Sequence, residues 1–168
     1  MELKQKEEQI LEFWLKNNVN QKVREKNKSG KKFYFLEGPP YVTGVPGFHH
    51  AWVIVTKDML LRYKRYRGFA VHDRAGFDVH GLPTEVKVEK LLNVASKKDI
   101  AERIGVDKFV EKCRDYVDEE VKADIQVFER YGSSLDYGTT YIPYKKDYID
   151  RSWGIFKKIF EKKLVYEG

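Results

Sequence analysis

Phe33-Tyr-Phe-Leu-Glu-Gly-Pro-Pro-Tyr41 runs straight into Val42-Thr-Gly-Val-Pro-Gly-Phe-His-His50, and Gly76-Phe-Asp-Val-His-Gly-Leu-Pro83 follows. Residues 33–36 are all apolar or aromatic, too few for a helix, which predicts a short buried strand. Gly38, Pro39 and Pro40 end it abruptly. A helical pattern then runs from about 50 to 67, and 69–72 reads as the next strand. Strand, helix and strand in that order predict a right-handed crossover and a parallel pair. The loop entering the helix offers free backbone N–H groups and the positive end of a helix dipole, where a phosphate can sit. His49 and His50 fall at that helix start, where their imidazoles can donate to phosphate oxygens. This is the layout of a nucleotide site.

The passage resembles the front half of a class I aminoacyl-tRNA synthetase, most closely the isoleucine enzymes. That family leads Gly-Pro-Pro-Tyr-x-x-Gly, here Gly38 to Gly44, into a His-x-Gly-His signature, and later carries Gly-Trp-Asp-x-His-Gly-Leu-Pro, here 76–83. The second block discriminates, because valine enzymes look different there and leucine enzymes typically lack the histidine. The resemblance extends from Ile10-Leu-Glu-Phe-Trp14 to 148–166, which looks like the family's helix before its editing insertion. It departs at two places. Aligned on Gly44 and Ala51, the signature's first histidine falls on Gly47 and its glycine on His49, while its last histidine is kept as His50. Neighbouring helix residues point about 100° apart, so His49 does not duplicate the missing side chain. Phe77 stands where the family usually has Trp, a mild change between flat apolar rings.

The resemblance implies an α/β fold: the first half of a Rossmann-like (HUP-type) nucleotide-binding domain, with parallel strands, flanking helices and a helical C-terminal part. It implies ATP-dependent activation of isoleucine and its transfer to tRNA(Ile). ATP would be held by Gly38, Pro39, Pro40, Tyr41, Gly44, Gly47 and His50, with His50 and, more weakly, His49 as the catalytic phosphate donors. The amino acid would be held by Pro39, Phe77, Asp78 and His80, with the Asp78 carboxylate on the ammonium group and Phe77 and Pro39 walling the side chain. Taken alone, Asp78 also reads as an N-cap or Asx-turn residue before the helix at 82. Magnesium would arrive with ATP, held mainly by its phosphates. His49, His50, His72, His80 and Cys113 do not have the spacing of a zinc site, and His72 reads as a strand-end residue.

At 168 residues the chain has a single-domain length. The family continues into an editing domain, a second half with a Lys-Met-Ser-Lys-Ser loop, and an anticodon-binding domain. The expectation is therefore an N-terminal catalytic half: a fragment, one piece of a split enzyme, or a reduced descendant. A complementary chain or the missing C-terminal half is the expected partner, because half of a doubly wound sheet exposes an apolar edge. The rival class is a non-catalytic module that binds ATP, an adenylate or tRNA.

Hydrophobic residues make up 42% and charged residues 35%, with no apolar run near the roughly 20 residues that span a bilayer. The charged start does not fit a signal peptide, and the lone Cys113 suits a reducing cytoplasm as an ordinary helix residue. The net charge of +6 permits nucleic-acid binding. Its clusters at 22–32 and 62–67 read as a solvated loop before the strand and as a last helical turn complementing the dipole before Gly68. Elsewhere, 2–16 reads as a helix closed by Asn17-Asn18, and 50–67 carries Trp52, Val55, Met59 and Tyr63 as the stripe expected to pack on the sheet. Helices are also expected at 82–92, from Ser96 to Gly105, at 106–130, and at 147–163 after a turn-rich connection.

Overall fold

β1 (Lys32–Tyr34) and β2 (Ala70–His72) lie side by side and parallel in the computed structural model, which describes residues 2–94 and 96–168. Phe33 is in register with Val71, and α3 (Phe48–Tyr66) makes the crossover. α1 (Leu3–Lys16) and α2 (Val19–Lys26) precede the sheet. After it come α4 (Leu82–Leu92), α5 (Lys97–Asp99) with a π turn at Ile100–Ile104, α6 (Val106–Arg130) and α7 (Lys146–Glu161). Two isolated parallel bridges, Tyr41 with Asp78 and Gly76 with Tyr141, continue the pairing past the strand ends.

The helix ends follow local chemistry. Asn17 caps α1 by donating its side-chain amide to the Phe13 carbonyl at 2.8 Å. The Ser96 hydroxyl accepts the Asp99 N–H at 3.1 Å, and Gly68 leaves α3 at φ +79°. The main core joins Val42, Ile54, Leu61, Ala75, Phe77 and Val79 to Val117, Val121 and Phe128 of α6. A smaller core packs Val88 of α4 against Ile100 and Phe109.

Three expectations need correction. First, α3 faces the core with Ile54, Asp58, Leu61 and Arg65, while Trp52, Val55, Met59 and Tyr63 are exposed on the opposite side. The polar pair wins the inner face because partners distant in sequence are waiting there. Asp58 accepts the Ser134 N–H at 2.7 Å and its hydroxyl at 2.5 Å, and Arg65 donates to Asp73 at 2.6 Å and to the Ser134 hydroxyl at 2.7 Å. Second, β1 is not buried: Tyr34 is exposed, because among the described residues β1 pairs only with β2, on one edge. Third, the basic stretch at 22–32 is partly helical, as α2, and Arg24 is not a free cation. It donates to Asp73 at 2.9 Å and to the Ser134 carbonyl at 2.7 Å.

Asp73 therefore binds two arginines, and it also accepts the Asp136 N–H at 2.9 Å. Full pairing offsets the cost of burying that carboxylate. Arg62 pairs with Asp58 and lies over the Trp14 ring at 5.0 Å, tying α1 to α3. The second basic cluster is thus built into the fold rather than left to the dipole. α7 is amphipathic, yet none of its residues is buried, and Trp153 and Phe160 are each 64% exposed. Among the described residues no helix is long and apolar enough to cross a membrane.

Candidate functional site

The loop after β1 is held from several directions. The Phe35 N–H closes the ladder on the His72 carbonyl at 3.0 Å, and the chain then leaves the sheet. Asp78 takes over as the loop's partner: its N–H donates to the Pro40 carbonyl at 2.8 Å, and its carbonyl accepts the Val42 N–H at 3.2 Å. The Tyr41 hydroxyl meets the His80 carbonyl and lies 3.1 Å from the Thr84 hydroxyl. Thr84 in turn donates to the Val79 carbonyl at 3.0 Å. The two motif blocks, far apart in sequence, are thereby adjacent strand-like segments.

Deeper down, the Glu37 carboxylate is 1% exposed and paired with Lys57 of α3. Lys57 also donates to the Gly38 carbonyl at 2.8 Å, and the Tyr141 hydroxyl donates to the Glu37 carbonyl at 3.1 Å. Burial pushes the Glu37 carboxyl above the usual range, against the pull of Lys57. Tyr141 fits only because Gly76 lacks a side chain, since a Cβ there would come within 2.1 Å of the ring. Over Gly38, by contrast, a Cβ would meet nothing within 4 Å. Packing within the chain therefore does not require glycine at that point.

At the far end of the loop Gly44 sits at φ +124°, which favours glycine, and the Tyr131 hydroxyl donates to the Pro46 carbonyl at 3.3 Å. Gly47 is the N-cap of α3 in extended conformation, and its N–H donates to His50 Nδ1 at 3.1 Å. A ring nitrogen that accepts carries no proton, so neutral His50 holds its hydrogen on Nε2, free to donate elsewhere. Burial, and then the neighbouring His49, hold the His50 pKa below 6.5, which favours this neutral form. The two imidazoles are tilted against each other with centroids 3.8 Å apart. The His50 N–H already donates to the Gly47 carbonyl at 3.0 Å, while the amides of Phe48 and His49 ahead of it have no intrahelical acceptor.

The residues singled out from sequence are only partly gathered. Pro40 and Tyr41 pair with Asp78, with Pro39 just ahead of them, Asp78 and His80 are exposed, and His49 and His50 stand at the helix start. The Phe77 ring is fully buried and stacked on Phe128, with centroids 6.2 Å apart. It is a core residue, because the alternation that turns Asp78 outward turns Phe77 inward. His72 stacks on Tyr34 at 4.8 Å. Cys113 is half-buried, and burial with nearby Glu85 and Glu89 pushes its thiol up, away from reactivity. Glu37, Lys57, Thr84 and Tyr141 went unnoticed in the sequence, since their partners lie 19 to 104 positions away or on bare backbone. A hollow of about 660 Å³ between α1, α2 and α6 shares no residue with this loop, whereas one of about 500 Å³ between α4 and α6 is bordered by Val79, His80 and Thr84. Among the described residues no group of three His, Cys, Asp or Glu side chains is placed to hold a metal.

A parallel crossover with a clamped loop running into a helix N-terminus is the N-terminal half of a Rossmann-like α/β domain. Comparison with known proteins narrows the class. The chain belongs to the class I tRNA synthetases, whose family model (I, L, M and V) matches residues 9–168. It is 43% identical over 159 residues to the isoleucine–tRNA ligase of Pyrococcus horikoshii, covering 95% of this chain and 15% of that protein. It is 41% identical over 164 residues to that of Sulfolobus acidocaldarius, covering 96% and 16%. The chain thus spans 15–16% of the length of these curated relatives. The Agrobacterium radiobacter K84 agnB2 LeuRS, solved as a ternary complex with tRNA and LeuAMS, superposes with a TM-score of 0.64 at 22% identity. That match covers 93% of this chain and 18% of the LeuRS, and it shows the shared fold.

Proposed function

We propose that this chain is the ATP- and isoleucine-holding front of an isoleucine–tRNA ligase. The observation that carries the reading is the direct pairing of Pro40 and Val42 with Asp78, which joins the proposed nucleotide loop to the proposed amino-acid carboxylate. The reaction forms a bond from an isoleucine carboxylate oxygen to the α-phosphorus of ATP and expels pyrophosphate. The nucleophile is already ionised at neutral pH, so catalysis consists of alignment and of stabilising charge on the phosphoryl oxygens.

The residues divide the work. His50 Nε2–H and the first-turn amides of α3 donate to phosphate oxygens, with His49 beside them. Gly38, Pro39, Pro40, Tyr41, Gly44 and Gly47 let the backbone run close to the nucleotide. The exposed Asp78 carboxylate holds the ammonium group, Pro39 borders the side chain, and His80 orients the loop. ATP enters as its magnesium complex, the ion held mainly by its phosphates. In the second step the isoleucyl group passes to tRNA(Ile), in the cytoplasm. A complementary chain, or further length of the same enzyme, covers the apolar outer face of α3 at Phe48, Trp52 and Met59.

The test is isoleucine-dependent exchange of pyrophosphate into ATP by the purified chain, alongside His50→Ala and Asp78→Ala. Exchange abolished by both substitutions supports the reading for the chain alone. Absence of exchange together with absence of adenylate-analogue binding refutes it, leaving a non-catalytic module, the reading that the Gly47 departure favours.

A further inference from the structure

We propose that Glu37 and Lys57 form a positioning pair that holds the 38–40 loop at a set height over α3 and keeps its negative groups off the ligand. The inference rests on reading that loop as the nucleotide loop, and it assigns a task to two residues that no motif includes.

The geometry is specific. Lys57 stands two turns into the helix whose first turn carries His50, so one side chain links the loop to the element bearing the phosphate donors. Its ammonium reaches two acceptors on successive residues, the Glu37 carboxylate and the Gly38 carbonyl. Both are negative, and both lie where the backbone would have to run alongside an anionic triphosphate. A carbonyl or carboxylate left unpaired there repels phosphate in a medium of low dielectric. Lys57 cancels both and turns the Gly38 carbonyl toward the helix, leaving open space above Gly38. Tyr141 fixes the other side by binding the Glu37 carbonyl.

The arrangement is not what stability alone selects. Glu37 Oε2 is buried with no hydrogen-bond partner, and the carboxylate is 1% exposed. A half-satisfied buried ion pair is commonly worth less than an apolar pair of the same shape. Glu37 is a positioning residue through Lys57, and Lys57 through Gly38. Neither is a catalytic residue.

The experiment compares the unsubstituted chain with Lys57→Met, Lys57→Arg and the double variant Lys57→Met/Glu37→Gln. One readout is calorimetric affinity for isoleucyl-sulfamoyl-adenosine, a non-hydrolysable adenylate analogue. The other is hydrogen exchange at the Val42 and Asp78 amides, which report the loop clamp, with the Val121 amide as a reference inside α6. Lys57→Met is expected to weaken the analogue and to speed exchange at Val42 and Asp78, each roughly tenfold or more, as loss of a charged hydrogen bond requires. Lys57→Arg, which keeps charge and donors, restores most of both.

The double variant separates the roles. It removes the uncompensated charge, so its melting midpoint recovers, yet nothing reaches the Gly38 carbonyl and the loop stays loose and weakly binding. Recovery of binding and exchange protection in the double variant would reduce the pair to charge compensation and overturn the proposal. Failure of the unsubstituted chain to bind the analogue would instead refute the nucleotide reading of the isolated chain. The exchange readout decides the positioning role in either case.

Discussion

Asp124 is the sharpest energetic oddity in the core. It lies on the inner stripe of α6 among Val117, Val121 and Phe128, is 2% exposed, and leaves Oδ1 without a partner. Burial, with Glu120 one turn away, raises its pKa from 3.8 to about 7. The folded state therefore holds this proton more tightly than the unfolded state. Stability from this group is fully present below 3.8 and is lost as the pH rises toward about 7. A shift of that size corresponds to a ceiling of roughly 4 kcal/mol once the carboxylate ionises. Asp124→Asn removes the ionisation but leaves a buried amide that itself costs about 1–3 kcal/mol when unpaired. The expected net gain is about 1–3 kcal/mol at roughly pH 8, or several degrees in Tm for a chain of this length. It shrinks toward zero or reverses near pH 4, where Asp124 is protonated in the folded state. Urea denaturation followed by circular dichroism at both pH values measures it. A variant no more stable than the parent at the higher pH, or one with the same gain at both, would refute the reasoning.

Two further outcomes follow from the polar wiring. Asp73→Asn leaves Arg65, whose side chain is 5% exposed, without its counter-charge, and an expected loss of about 3–5 kcal/mol would lower the thermal midpoint by roughly 10 °C. A loss under about 1 kcal/mol would mean that Ser134 suffices as a partner. His50 should titrate below 6.5 in an NMR pH series, first through burial and second through His49. Its folded pKa is lowered, so its contribution to stability is present above 6.5 and is lost as the pH falls through the folded value. His49→Ala should move that midpoint upward, and an unmoved midpoint would remove His49 as a cause.

The parallel pair was legible because its signals are local: an apolar run broken by Gly38-Pro39-Pro40, a helix of crossover length, and a second short run before Asp73. α6 was legible for the same reason, since Gly105 opens it and a long amphipathic repeat follows. The face of α3 was not legible. Its most apolar stripe points outward, and the inner stripe contains Asp58 and Arg65, whose burial makes sense only once Ser134 and Asp73 are in place. Hydrophobic periodicity ranks residues by solvation alone, and a charge paired to distant partners defeats that ranking. α2 escaped because its eight residues are mostly polar and none is buried. At the site, the motif residues could be named from sequence, but Phe77 could not be sorted from Asp78 without the strand alternation that buries one and exposes the other.

The turn-rich segment 131–144 then acquires a meaning that its composition conceals. Tyr131 holds the Pro46 carbonyl, Ser134 satisfies Asp58, the Asp136 N–H completes the shell of Asp73, and Tyr141 holds the Glu37 carbonyl against Gly76. Each of these bonds reaches back to the crossover unit, to the loop, the helix or the end of β2. A short parallel pair with two open edges among the described residues has little packing of its own to define a loop. The definition comes instead from polar contacts made by residues 63 to 104 positions later. On the proposed reading, the local motif supplies the groups that would meet the ligand, and this distant segment supplies their placement. Substitutions at Tyr141 or Ser134 should therefore disturb the loop while leaving every motif residue unchanged.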